Sequence, residues 1–128
     1  CWGVQNLDYD PVRNVYMMCV YTGKKEQFPN YPMYLIDASI APQKQPLIGR
    51  DGEEGLCFTL APGNITDEKT GIPGTTYGYG STGIASLGED GDGTAYYYVS
   101  YDGYSERGCC TTVRLCRADD EHWIVPVE

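Results

Sequence analysis

The chain has 128 residues, a length suited to one domain, and a formal net charge of −9. Nine basic residues against 18 acidic ones argue against binding nucleic acid through counterion release and leave no basic patch for an anionic lipid surface. No stretch approaches the roughly 18 apolar residues of a membrane span.

The charge is uneven: residues 1–64 carry −2 and residues 65–128 carry −7. Only 41% of residues are apolar, and 12 of those are Tyr, whose hydroxyl needs a partner or water. The core is therefore thin for the length. Sixteen Gly and eight Pro punctuate the chain every few residues, so long helices have little room. The short apolar runs are aromatic and β-branched, as strands require.

In chain order, Val15–Tyr21 is a continuous apolar run typical of a buried strand. Met33–Ile40 follows, with a short helical turn an option around Asp37–Ala41. Leu56–Ala61 comes after the acidic, Gly-rich loop Gly49–Gly55. Thr75–Tyr79 and Ile84–Leu87 are shorter. Thr94–Tyr101 is the clearest strand, and Cys110–Cys116 and Trp123–Val127 complete the set. Long loops are expected through Gly23–Pro32 and Asn64–Gly74. Pro62-Gly63 and Pro73-Gly74 each place Pro then Gly as a type II turn wants them.

Asp102-Gly103 lies between two β-rich runs and predicts a hairpin with a two-residue loop, in which paired positions sum to 205 and a bulge at Gly108 would shift the register. Strand alternation sends Tyr96 and Tyr98 to one face and Tyr97, Val99 and Tyr101 to the other. One face should be core and the other an exposed aromatic strip. The fold class that follows is all-β. It is read as a single domain spanning residues 1–128, an antiparallel sandwich or barrel of about seven to eight short strands with little helix.

Six cysteines, Cys1, Cys19, Cys57, Cys109, Cys110 and Cys116, stand at irregular spacings without a C-x-x-C pair, and His122 is the single histidine. Three disulfides fit this pattern better than a zinc site and would staple the thin core. Vicinal Cys109 and Cys110 are too close to bond each other and point to opposite faces of a strand. Disulfides imply an oxidising compartment, and Asn64-Ile65-Thr66 is an N-glycosylation sequon. With Cys1 at the start and no leader, the chain reads as a mature secreted product, acting outside the cell.

Chemistry-bearing motifs are sparse. Glu89-Asp90-Gly91-Asp92-Gly93 resembles part of a calcium loop but lacks the later ligands, so no metal and no cofactor are expected. Glu106, Arg107 and His122 could be cast as the acid, base and phosphate clamp of a small ribonuclease, but a second histidine is missing. His122 has no nucleophile motif beside it. Binding is thus favoured over catalysis. The expected surface is an aromatic hairpin patch of Tyr96, Tyr98, Tyr101, Tyr104 and Arg107, because tyrosine brings contact area at low entropy cost. The reading is a monomeric secreted interaction protein of the effector, toxin or inhibitor kind from a eukaryotic microbe, with an extracellular protein or a glycan as partner. A carbohydrate-binding module and a small secreted hydrolase are the alternatives.

Overall fold

The computed structural model describes residues 3–24 and 26–128; Cys1, Trp2 and Lys25 lie outside the described residues. Among the described residues there are eleven strands and no helix: β1 (Gly3–Asp10), β2 (Val15–Tyr21), β3 (Met33–Asp37), β4 (Gln43–Pro46), β5 (Glu54–Cys57), β6 (Ile65–Thr66), β7 (Pro73–Gly74), β8 (Ile84–Glu89), β9 (Ala95–Ser105), β10 (Gly108–Asp119) and β11 (Trp123–Pro126). Every pairing is antiparallel. One sheet has the order β1-β2-β3 and another β11-β10-β9-β8, while β4-β5 and β6-β7 are separate two-stranded pairs.

The all-β expectation holds, and the strand count exceeds it. β1 and β4 were hidden because edge strands need no apolar run: β4 is Gln-Lys-Gln-Pro and fully exposed, and most of β1 is exposed. β2 matches the expected Val15–Tyr21 at both ends. Pro73-Gly74 is a strand instead of a turn, and neither Gly63 nor Gly74 has positive φ. Both are glycine for space: a Cβ at Gly63 would run into the carbonyl of Gly74, and one at Gly74 into the Tyr31 ring.

The β9–β10 register corrects the expected hairpin. Cys109 pairs with Tyr104, Thr112 with Tyr101 and Leu115 with Tyr98, so positions sum to 213 and the turn is Glu106-Arg107. Gly108, at φ 110°, closes it, a conformation that a side chain would oppose. Asp102 is instead held in the ladder, its carboxylate accepting from Thr82 and Thr111 hydroxyls at 2.8 and 3.2 Å. The sum changes by an even number, so the expected assignment of faces survives.

One hydrophobic cluster draws on both larger sheets: Val15, Met17 and Cys19 of β2, Met33 and Leu35 of β3, Ile84 of β8, Ala95, Tyr97 and Val99 of β9, Cys116 of β10 and Ile124 of β11. The sheets do not close into a barrel. Where β1 approaches β8, side chains make the bonds: Ser86 N–H donates to Asp8 Oδ2 at 2.6 Å, and the Asn6 amide donates to Gly80 O at 3.3 Å. The free edge of β3 is covered by irregular chain, with Ala61 N–H donating to Leu35 O and Thr75 N–H to Met33 O.

No disulfide joins any two of the described cysteines. Cys19, Cys57, Cys109, Cys110 and Cys116 are free thiols, which corrects the expected three-bridge staple. Cys19 and Cys116 are buried core residues and act as small hydrophobes, while Cys109 and Cys110 stand exposed on β10.

The thin core is tied by a polar joint. Asp10, fully buried at the end of β1, accepts the backbone N–H groups of Val12 (2.9 Å) and Arg13 (3.2 Å) and, from the opposing sheet, the Tyr97 hydroxyl at 2.5 Å. Arg13 then reaches the β10–β11 turn: both of its terminal nitrogens donate to Trp123 O at 3.1 Å, and its guanidinium lies 3.8 Å from the Trp123 ring centroid. That clamp holds Trp123 at φ 71°, a strained value for an aromatic residue. Tyr97→Phe removes one hydroxyl and leaves Asp10 Oδ2 buried without its donor. The expected loss is about 1–3 kcal/mol of unfolding free energy in urea titration.

Candidate functional site

β9 and β10 outrun their neighbours. β8 pairs with β9 only as far as Val99, and β11 pairs with β10 only from Cys116 onward. Beyond these points Ser100 N–H to Gly83 O and the Thr82 hydroxyl to Asp102 hold one edge, and Val127 N–H to Leu115 O holds the other. Residues 101–105 and 108–114 thus form a two-stranded ribbon, and every residue from Gly108 to Leu115 is exposed. Such a ribbon is marginal alone, and neither edge carries a proline or a bulge to blunt it.

Alternation sorts the expected patch residues onto two faces. Tyr96, Tyr98 and Tyr104 share the outer face with Cys109, Val113, Leu115 and Arg117. Tyr101 lies on the inner face with Thr112 and Cys110. Its ring stacks on Tyr79 at 4.0 Å, its hydroxyl meets that of Tyr77 at 2.9 Å, and Arg114 lies 4.7 Å from its centroid. Burial, ahead of every other cause, raises the hydroxyl pKa of both Tyr77 and Tyr101, so both stay protonated donors. Tyr101 anchors the root of the ribbon, and Arg107 sits in its turn. The structure therefore puts Tyr96, Tyr98 and Tyr104 on one face, with Tyr104 roughly 20 Å along the strand from Tyr98, and Tyr101 on the other.

The residues missed from sequence are Leu87, Val113 and Leu115, which complete the outer face. Leu115 is opposite Tyr98 on β9, and Leu87 follows on β8, where the register shifts after Ser86. Tyr98 is 50% exposed, Val113 61%, Leu87 48% and Leu115 38%. Tyr104, at 88%, lies further out, past the Asp102–Thr111 pair. With side-chain areas on the order of 150–200 Å², the contiguous four, Tyr98, Val113, Leu87 and Leu115, leave roughly 350 Å² open to water. That is in the range of the largest apolar patch on a soluble monomer, which is often functional. Covering it would be worth about 9 kcal/mol before the costs of association. The signal was present in the sequence as period-two alternation in Thr111–Arg117.

Other expected sites fare differently. Asp90 Oδ1 accepts the N–H groups of Asp92 and Thr94, and Oδ2 accepts the Tyr96 hydroxyl, so the acidic loop consumes its own carboxylate. Those bonds hold the Asp90 pKa below its ordinary value. Among the described residues no group of three His, Cys, Asp or Glu is placed to hold a metal ion. His122 is paired with Asp119, Nδ1 to Oδ2 at 3.0 Å, in the β10–β11 turn. Glu106 and Arg107 occupy the other end of β10, so roughly 35 Å separates them from His122 at strand rise. They cannot act on one substrate atom. An apolar cleft of about 240 Å³ lies over the three-stranded sheet, lined by Met18, Phe28, Pro29, Tyr34, Leu60 and Ile72.

No protein-family model, curated protein or solved structure matches the chain.

Asn64, the sequon residue, is half-buried and works internally. Its amide donates to Thr76 Oγ1 at 2.8 Å and to Glu121 O at 2.9 Å, while Oδ1 accepts Thr76 N–H at 3.0 Å. Asn64→Asp keeps the acceptor and loses both donors, and should lower stability by about 1–2 kcal/mol in chemical denaturation.

The thiols divide by environment. Burial, then the charge of Asp8, pushes Cys19 up to about 12, against an ordinary 9.0. A raised folded-state value contributes stability that is fully present below pH 9 and is lost as pH climbs from 9 toward 12. Urea titrations at pH 8 and pH 11 should show a smaller drop for Cys19→Ala than for the wild type. At pH 8 iodoacetamide should label Cys109 and Cys110 in the folded protein, and Cys19 and Cys116 only after unfolding.

Proposed function

We propose that this chain is a secreted protein-binding domain, and that it engages an extracellular protein with the outer face of β8, β9 and β10. The role fits an effector, toxin or inhibitor of a eukaryotic microbe, in which a two-sheet sandwich presents one adhesive face. A single observation carries the reading: Tyr98, Leu115, Val113 and Leu87 form an exposed apolar face on a regular sheet, in a chain with little apolar material to spare. A face of this kind is stabilised when covered, and tyrosine beside aliphatic residues is the composition of protein-binding surfaces.

A glycan reading is less well supported, since Val113 and Leu115 stand where a sugar-stacking row would have polar neighbours. The extracellular address comes from the sequence alone; the described thiols are unpaired and Asn64 is bonded to Thr76 and Glu121.

The test is comparative capture. Immobilised wild type and a Tyr98→Ser/Val113→Ser variant are presented with extracellular proteins and, separately, with insoluble polysaccharides. The expected result is specific protein retention that falls at least tenfold in the variant. Equal retention by both would overturn the assignment of the face, and retention of polysaccharide alone would overturn the class of partner.

A further inference from the structure

We infer that the partner binds by strand addition: an extended peptide segment of another protein hydrogen-bonds along the open edge of β10, at Cys109, Thr111 and Val113. The inference rests on the binding role just assigned and names the form in which the partner engages it.

Two hydrogen bonds fix which way each backbone group points. Val127 N–H donates to Leu115 O at 2.9 Å, so the polar groups of Leu115 point away from β9. Ser100 N–H donates to Gly83 O at 2.8 Å, so those of Ser100 point away from β10, and those of Val99 point toward it, at Arg114. Direction alternates along an antiparallel ladder. Arg114, Thr112, Cys110 and Gly108 therefore bond β9, and Val113, Thr111 and Cys109 turn N–H and C=O to the open side. Among the described residues none of those N–H and C=O groups has a partner. They recur about every 7 Å, a spacing that another extended backbone matches.

Elsewhere the two larger sheets have their edges engaged. Ala61 and Thr75 bond along β3, Ser86 of β8 bonds Asp8 of β1, and β11 covers β10 from Cys116 to Asp119. Thr82 and Gly83 hold the other side of the ribbon. The open stretch of β10 is exposed throughout and has no proline, no lysine and no register shift, the common means of blunting an edge.

The neighbours of the slot define the segment that fits. Val127 fills the place opposite Leu115, and Glu128 follows it toward Arg114. An added strand in line with β11 thus begins opposite Val113 and runs antiparallel to β10 toward its turn. Its first residue shares the outer face with Val113 and has Leu115 on the diagonal, which suits a β-branched apolar side chain. Its second residue lies opposite Thr112 on the inner face. There Arg114 rests on the Tyr101 ring and has no ion pair among the described residues. Arg114 is diagonal to that position and within reach of a carboxylate. The complementary segment is therefore extended, apolar on one face and acidic on the other.

A second copy of β10 fits this slot less well. Two such strands laid antiparallel about Thr111 would set Gly108 of one opposite Arg114 of the other, where Glu128 already leads, and the Glu106-Arg107 turn would follow it.

The probe is the acetylated and amidated pentapeptide Val-Glu-Thr-Thr-Val, titrated into the full chain and followed by amide NMR. Saturable shifts should centre on Cys109, Thr111 and Val113. N-methylation of the peptide's first, third and fifth residues, whose N–H groups face β10, should weaken binding at least tenfold. N-methylation of the second and fourth should not. Thr111→Pro removes a donor on the open side and spares the β9 ladder, so it should also weaken binding at least tenfold, while Thr111→Val retains it. Equal weakening by the two methylation patterns would overturn strand addition, as would full binding to Thr111→Pro. A wild-type dimer in sedimentation that Thr111→Pro dissolves would make the occupant a second copy and overturn the assignment of the partner. If the peptide does not bind while protein capture still depends on Tyr98 and Val113, strand addition falls and the outer-face reading stands. If capture is also indifferent to those residues, both fall.

Discussion

A single buried carboxylate holds the two sheets in relation to each other. Asp10 sits where β1 ends, with no solvent to share its charge, and three donors surround it. Two come from its own turn, so local chain geometry satisfies half of the group before any tertiary contact forms. The third, the Tyr97 hydroxyl, comes from the middle of the opposing sheet. A carboxylate left short of donors in an apolar interior is strongly unfavourable, so the arrangement tolerates few alternatives. Burial first, then the bond to Asp10, raises the Tyr97 pKa, which keeps that hydroxyl a donor at any ordinary pH. Arg13 extends the joint to Trp123, and the last hairpin is thereby fixed to the first.

The joint divides β9 and β10 into two functional lengths. Near Tyr97 and Cys116 the strands have neighbours on both sides and lie over the core. Beyond Val99 their strand ladder is with each other alone, held at the sides by the Ser100–Gly83, Thr82–Asp102 and Val127–Leu115 bonds and by the inner-face anchor of Tyr101 on Tyr77 and Tyr79. The inner face of the root is occupied by that anchor and the outer face by nothing. Rigidity at one end and open apolar surface at the other follow from the same two strands, because the flanking strands end where they do. That asymmetry is what makes the outer face a candidate for contact.

What the sequence made legible was alternation. Tyr97 and Val99 read as sharing one face and Tyr96 and Tyr98 the other, and the structure makes the first of these the core face. Alternation survives an error in the turn, which is why placing the hairpin loop four residues early left the faces intact. Turn chemistry was the weaker guide. Asp102-Gly103 carries the commonest hairpin signature, yet pairing through Tyr104 and Ser105 adds ladder bonds, and Gly108 supplies the positive φ that the later turn needs. Tyr101 was misassigned for a different reason. Composition marks a tyrosine as adhesive, while its anchoring partners, Tyr77 and Tyr79, lie more than twenty residues away. The Asp10–Tyr97 bond is longer-range still, although Asp10-Pro11 followed by Asn14 carries the local signature of its turn.

The cysteines show how an inference from composition fails and what replaces it. An even number of thiols in a thin-cored chain suggests staples, but Cys19 and Cys116 are spent as apolar filler, one in each sheet, among methionines and tyrosines. Long-range polar bonds supply the cross-linking expected of sulfur: Asp10 to Tyr97, Asp8 to Ser86, and Asn64 to Thr76 and Glu121. Each joins segments more than ten residues apart, as a disulfide would, but each depends on donors and acceptors that water also satisfies. The fold therefore leans on placed polar bonds more than on apolar area. Sulfur on the ribbon is left exposed, with no bridge to another described cysteine, Cys109 on the outer face and Cys110 on the inner.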